Sequence, residues 1–125
     1  MYSAEVLDHF QSPRNVGEIP DADGIGKSGN PISGNNMTLY LKIEHGVITD
    51  ARFRTFGCAA SIAAGSKLTE MIIGRSVETA AEIHNDSVAE ALGGLPPTKM
   101  HCSTMAAEGV QAALSDYRHR EDTER

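Results

Sequence analysis

The sequence predicts an α+β domain in which helices cover one face of a small three-stranded antiparallel sheet. Residues 37–56 alternate between apolar and polar side chains, as half-buried strands do. From residue 58 onward the apolar residues recur at helical spacing instead. Strands followed by helices are typical of α+β domains, because the apolar face of the sheet needs a cover and the helices supply it.

The first predicted element is a short helix over residues 3–11. Ser3 can cap its start, and Pro13 ends it because proline cannot continue a helix. Residues 15–28 are rich in Gly, Pro and Asp, which predicts a loop or an irregular edge strand. Pro31 is compatible only with the edge or the boundary of a strand.

Two strands joined by a turn follow. Residues 37–43 place their apolar side chains on one face, and in residues 47–56 Ala51 and Phe53 alternate with charged neighbours. His45-Gly46 lies between the two runs and is predicted to be a turn. The pair therefore reads as an antiparallel hairpin.

A helix is predicted directly after Cys58, with Gly74 at its end. Its larger apolar residues are expected on the buried side, and the small residues between them allow close packing on a neighbouring element. The expected buried residues are Ile62, Leu68, Met71 and Ile72.

Three further helices complete the predicted fold. Residues 76–83 form a short helix, and the next one begins near Ser87, which has capping-box spacing from a glutamate three residues later. The last helix covers about residues 103–117, and the charged segment 118–125 is predicted to be a frayed tail. No internal repeat or linker divides the chain, so residues 1–125 are expected to form a single domain.

Composition and charge exclude several classes of partner. The chain has 11 Lys and Arg against 17 Asp and Glu, a net charge of −6, which argues against a nucleic-acid surface. No apolar run approaches the roughly 20 residues of a membrane span, and the N-terminus lacks a signal-peptide pattern. The protein is therefore expected to be cytoplasmic, where thiols stay reduced.

Two cysteines and one histidine are the chemistry that the sequence offers. His101 and Cys102 follow two prolines and precede a helical pattern, so they should lie at a helix N-terminus, where a thiol ionises more readily. Cys58 ends a strand and opens a helix in the same way. Thiolate and imidazole are ligands for zinc or iron–sulfur centres, although these three residues are one ligand short of a closed tetrahedral site. The other four histidines are expected to be solvated.

Two other interpretations of these residues remain open. Free cysteines are among the most buried residue types, so both thiols could simply belong to the core. A Cys–His nucleophilic pair is the second, although neighbouring residues at a helix start rarely point at each other and no orienting third group is evident.

Six segments lie in order along nearly the whole chain and carry a resemblance: residues 2–10, 13–17, 50–58, 61–63, 69–70 and 95–103. Together they resemble the IscU/NifU N-terminal family of scaffold proteins. The resemblance implies the three-stranded α+β fold predicted above. It also implies a non-enzymatic cytosolic scaffold on which sulfur from a cysteine desulfurase and iron become a [2Fe–2S] cluster for recipient apo-proteins, in a monomer or a homo-oligomer.

The resemblance also implies roles for individual residues. Cys58 and Cys102 match the second and third ligand cysteines of the family, and His101 matches its histidine. Cys102 resembles the position that receives sulfur. Leu95 to Lys99 resembles the segment that an Hsp70-type chaperone recognises, with Thr98 where valine is usual.

The resemblance breaks at the first ligand cysteine and the aspartate of the family. Ser33 and Asn35 stand in their places, so the site loses its first thiolate and up to two negative charges. Three alternatives follow. The protein holds iron or a cluster with a fourth ligand from Ser33, Asn35, water, a partner or a second copy. It is a sulfur-relay or regulatory partner of a desulfurase, with zinc as a compatible metal. Or the two residues are deliberate substitutions.

Overall fold

The computed structural model describes residues 2–30 and 35–124, so the predictions for Pro31 and Ser33 lie outside the described residues. Eight regular elements and one 3₁₀ turn follow one another along this part of the chain. They are α1 (Ala4–Gln11), β1 (Gly24–Asn30), β2 (Asn35–Glu44), β3 (Val47–Phe56), α2 (Ala59–Ile72), α3 (Val77–Ala80), α4 (Asn85–Ala91), the 3₁₀ turn Pro97–Lys99 and α5 (Met100–Glu124).

The strands form a three-stranded antiparallel sheet in the order β1-β2-β3, which confirms the predicted fold class. His45 and Gly46 join β2 to β3, and their φ angles of 53° and 76° are those of a two-residue hairpin turn that matches the twist of the strands. Leu39 and Phe53 are paired across these strands and fully or almost fully buried on the covered face.

Strand β1 is a regular edge strand, whereas the sequence predicts a loop or an irregular edge strand in this region. Its inward positions include Gly24 and Gly26, so no apolar alternation is visible. A Cβ at Gly26 would collide with the backbone of α5 at Gly109 and Ala113. The glycines thus allow α5 to lie directly against the backbone of β1.

Helices α2 and α5 cover the buried face of the sheet and contact each other. In α2 the buried side consists mainly of small residues, whereas Ile62 and Met71, which were expected there, are only half-buried. The reason is close packing: Gly65 faces the Phe53 ring so closely that a Cβ would clash with it. The largest fully buried apolar side chains are Val6, Met37, Leu39, Leu41, Ile48, Phe53, Leu68, Ile72, Val88, Leu92 and Leu114.

Several helix boundaries differ from the prediction. Helix α3 ends at Ala80 rather than at residue 83, and α5 begins at Met100 rather than near residue 103. Helix α4 begins at Asn85, and Ser87 lies in its first turn, where its hydroxyl accepts a hydrogen bond from the His84 N–H at 3.2 Å. Helix α5 continues to Glu124, so the prediction of a frayed tail is wrong for residues 118–124. Arg120 contributes to this extension by donating to the Ala22 carbonyl at 2.9 Å, a tertiary contact that spacing along the helix does not reveal.

No helix within residues 2–30 and 35–124 has both the length and the apolar character that crossing a lipid bilayer requires.

Candidate metal centre

The two cysteines meet where the starts of α2 and α5 come together. Cys58 is the N-cap of α2 and follows β3 after a single glycine, and Cys102 lies in the first turn of α5. Their sulfurs are 3.7 Å apart although the residues are 44 positions apart in sequence. Both thiols are free. The fold therefore brings together the two residues that the sequence singles out.

The spacing of these donors fits a small metal ion. Two thiolates bound at about 2.3 Å to one tetrahedral zinc stand about 3.8 Å apart, close to the observed 3.7 Å between Cys58 Sγ and Cys102 Sγ. His101 Nε2 lies 3.5 Å from Cys102 Sγ, near the value of about 3.5 Å for a nitrogen and a sulfur on the same ion.

Cys102 contacts both of the other donors, but the three do not form a closed group. Among the described residues, no three His, Cys, Asp or Glu side chains already stand together as a metal site. Binding therefore requires a small movement of the exposed His101 ring, or a ligand from outside the described residues.

The two thiols differ in burial and therefore in ionisation. Cys102 is fully buried, and this burial raises its pKa, although a hydrogen bond from Ser61 opposes the shift. Cys58 is half-buried. Burial also raises its pKa, but hydrogen bonds from the Ser61 backbone N–H and from Cys102 outweigh it and bring the pKa from 9.0 down to about 7. The expected readiness to ionise thus holds for Cys58 and fails for Cys102.

Neither alternative interpretation accounts for the whole arrangement. Cys102 belongs to the buried core cluster, but the half-buried Cys58 only packs against it. His101 Nε2 does approach Cys102 Sγ, so the expectation that these neighbours point apart is wrong. A nucleophile at Cys102 would nevertheless have no exposed surface to offer a substrate.

Ser61 is the site residue that sequence reasoning missed. Its hydroxyl lies 3.3 Å from Cys102 Sγ and 3.7 Å from Cys58 Sγ, and the residue is completely buried. The one available signal was its position three residues after the N-cap of α2, where side chains reach back to the cap.

Asn35 also approaches this end of the sheet. A Cβ on Gly57 would lie 2.7 Å from Asn35 Oδ1 and 2.9 Å from Ser61 Oγ, so the missing side chain of Gly57 leaves room for both. The structure therefore places the Asn35 amide next to Gly57, the residue before Cys58. Ser33 lies outside the described residues.

The segment Leu95–Lys99 leads directly into the site. It follows Gly93 and Gly94, whose positive φ angles turn the chain away from α4. Pro97 and Thr98 are exposed, and the segment ends in the 3₁₀ turn before α5. An accessible stretch of chain is thus attached to the helix that carries His101 and Cys102.

One of the other four histidines is buried, so the expectation that all four are solvated is wrong for it. His9 is only 2% exposed, and its Nδ1 lies 2.7 Å from Ser66 Oγ at the contact between α1 and α2. His45, His84 and His119 are exposed, as expected.

Comparison with known proteins finds one matching family and several proteins of similar sequence. The family described as "NifU-like N terminal domain" matches residues 1–124. Iron-sulfur cluster assembly scaffold protein IscU 1 of Archaeoglobus fulgidus is 56% identical over 117 residues, which cover 94% of this chain and 76% of that protein. The IscU scaffold protein of Azotobacter vinelandii is 45% identical over 123 residues, 95% of each chain.

The fold has close counterparts among solved structures. The N-terminal part of a nitrogen-fixing NifU-like protein from Brucella abortus superposes with a TM-score of 0.69 at 20% identity, covering 96% of this chain and 94% of that one. At this identity the likeness supports the fold alone.

Proposed function

This chain belongs to the family of NifU-like N-terminal domains, and we propose that it is a scaffold on which iron and sulfur are assembled into a cluster. The observation that carries the proposal is the 3.7 Å separation of the Cys58 and Cys102 sulfurs. Two soft ligands from distant parts of the chain thus lie close enough to bind the same metal ion or cluster. The protein acts as a carrier of this cargo rather than as an enzyme.

The proposed ligands are Cys58, Cys102 and His101, with a [2Fe–2S] cluster or iron as cargo. The distances between their donor atoms support this set. The fourth ligand comes from Ser33, Asn35, water, a partner or a second copy, and the closeness of Asn35 to Gly57 supports Asn35 as a candidate. Zinc suits two thiolates and an imidazole equally well.

Sulfur is proposed to arrive as a persulfide on a cysteine desulfurase. The Cys102 thiolate attacks the outer sulfur, the persulfide bond breaks, and the desulfurase cysteine leaves as a thiolate, so no external oxidant is consumed. Because Cys102 is fully buried, this transfer requires the starts of α2 and α5 to open first.

Protein partners are proposed on exposed parts of the molecule near the site. Phe56 is 72% exposed and lies two residues before Cys58, which supports docking of a desulfurase or a recipient apo-protein there. The exposed Pro97 and Thr98 support recognition of Leu95–Lys99 by an Hsp70-type chaperone. A cytoplasmic location agrees with the use of free thiols.

Anaerobic reconstitution tests the scaffold function. The protein is incubated with ferrous iron, cysteine, a cysteine desulfurase and dithiothreitol, which supplies the remaining electrons that reduce persulfide sulfur to sulfide. Visible absorption, bound iron and acid-labile sulfide are then measured. We expect iron and sulfide in equal amounts, with a strong loss in Cys58→Ser and Cys102→Ser. Protein that binds no iron even with the desulfurase present would refute cluster assembly.

A second candidate function is sulfur relay or regulation of a desulfurase without cluster assembly. The replacement of a ligand cysteine by Ser33 and of an aspartate by Asn35 favours it. Mass spectrometry after incubation with desulfurase and cysteine distinguishes the two. A persulfide on Cys102 without bound iron would support the relay, whereas failure to form a complex with any desulfurase would count against both functions.

A further inference from the structure

Ser61 lies beneath the two sulfurs on the buried side of the site. Its Oγ is 3.3 Å from Cys102 Sγ and 3.7 Å from Cys58 Sγ. Buried hydroxyls that lack a hydrogen-bond partner are costly, and so they are normally satisfied. The partners that the structure shows for this hydroxyl are sulfur atoms, which makes Ser61 part of the site rather than of the apolar core.

The hydroxyl donates its hydrogen to Cys102. The O–H of Ser61 points at Cys102 Sγ, and His101 Nε2 approaches the same sulfur at 3.5 Å from the exposed first turn of α5. The Cys102 sulfur therefore contacts both a buried hydroxyl and an exposed imidazole. Of these two groups only the hydroxyl belongs to α2, so it adds a second link between the helix starts beside the contact of the two sulfurs.

We propose that Ser61 is a positioning residue whose hydroxyl donates to the Cys102 sulfur and holds it beside Cys58 as a metal ligand. This inference rests on the proposed metal site. Hydrogen bonds from the surrounding residues orient metal ligands, and their loss commonly weakens metal binding by about 10- to 100-fold. Hydrogen bonds to ligand sulfurs also withdraw electron density and change the electronic properties of the bound centre.

Cobalt(II) titration of the metal-free, reduced protein tests this role. Co²⁺ takes zinc-like sites, and its sulfur-to-metal charge-transfer absorption reports the bound thiolates directly. In Ser61→Ala we expect binding about tenfold weaker than in the wild type. We also expect the charge-transfer band to move to longer wavelength, because a sulfur without its hydrogen bond gives up electrons more easily.

Ser66→Ala is the matched control. Ser66 is also a fully buried serine of α2, but its hydroxyl contacts His9 Nδ1 at 2.7 Å instead of a sulfur. It should lose stability without a change in the affinity for cobalt or in the band position. Ser61→Thr keeps a hydroxyl and should keep the wild-type band position, with circular dichroism used to verify the fold of each variant.

The possible outcomes separate the inference from the proposed function. A wild type without a charge-transfer band would reject the metal site itself. A wild-type band that is unchanged in position and affinity in Ser61→Ala would reject the role of Ser61 and leave the site intact. Equal weakening in Ser61→Ala and Ser66→Ala, with no band shift, would show a merely structural effect and also reject the inference.

Discussion

His9 shows at the scale of one residue how a polar group can be retained inside this protein. It lies between α1 and α2, with Nδ1 2.7 Å from Ser66 Oγ and Nε2 3.3 Å from Glu70 Oε1. Burial lowers its pKa, and the nearby Arg14 lowers it further, whereas Glu70 opposes the shift. The folded protein therefore keeps this imidazole neutral more strongly than the unfolded chain does.

A pH dependence of stability follows from this shift. Because the folded-state pKa of His9 is below the ordinary value of 6.5, its contribution is fully present above that value. It is lost as the pH falls through 6.5 towards the folded-state pKa. We expect the urea midpoint of the metal-free protein to be lower at pH 5.5 than at pH 7.5.

The variant His9→Gln should show a smaller difference between the two pH values. His45→Asn provides the control, because His45 is exposed in a turn with positive φ that asparagine also tolerates. An equal pH dependence in the wild type and His9→Gln would contradict the assignment.

The two thiols should also react at different rates. Cys58 has a pKa of about 7 and is half-buried, whereas Cys102 is fully buried with a raised pKa. Since the thiolate is the nucleophile, we expect iodoacetamide to modify Cys58 first, with a rate that reaches half its maximum near pH 7. Peptide mapping by mass spectrometry measures both sites, and faster modification of Cys102 would disprove this order.

At this scale the sequence predicts the rare residues of the site better than the common ones. Cys58, His101 and Cys102 stand out because the chain has only two cysteines, each at a predicted helix start. Ser61 does not stand out, since its role arises only where α2 and α5 meet in space. The different burial of the two thiols likewise depends on tertiary packing, and their similar local sequences conceal it.

At the scale of elements, the contact between α5 and β1 depends on glycine. Gly26 leaves space for the backbone of α5 at Gly109 and Ala113. We expect Gly26→Ala to push the helix from the strand and to lower the free energy of unfolding by about 1–3 kcal/mol, the usual effect of overpacking. Chemical denaturation measures this change.

The neighbouring exposed residue Lys27 supplies the control for this prediction. Lys27→Ala should change the stability by less than about 0.5 kcal/mol, as is usual for surface positions. A similarly small effect of Gly26→Ala would mean that α5 does not rest on β1 as described.

The same contact explains which elements could be predicted. Strands β2 and β3 each have one fully buried face and one more accessible face, so their alternation is visible in the sequence. Strand β1 has glycines where it meets α5, so its sequence shows no alternation of apolar and polar side chains. The extension of α5 to Glu124 involves Arg120 and the distant Ala22, which no local pattern connects.

At the scale of the whole molecule, metal binding should stabilise the fold. The proposed ligands Cys58 and Cys102 are 44 positions apart and meet only in the folded protein. Zinc at 100 times its dissociation constant should therefore add about 2.7 kcal/mol to the free energy of unfolding. We expect a higher melting temperature with zinc for the wild type and a much smaller increase for Cys102→Ser.

Magnesium serves as the control ion in this experiment, because it prefers oxygen ligands and should leave the melting temperature unchanged. An equal increase with zinc in the wild type and in Cys102→Ser would show that zinc binds elsewhere.

The division of the cysteines between α2 and α5 has a consequence for unloading. Each helix supplies one sulfur, and the pair exists only while the two helix starts remain in contact. A separation of a few ångströms would leave each sulfur alone and weaken its hold on the cargo, with no chemical step at the metal. A partner protein that binds one helix start more strongly when the two are apart would favour the separated state. Its binding free energy would thereby promote release of the cargo.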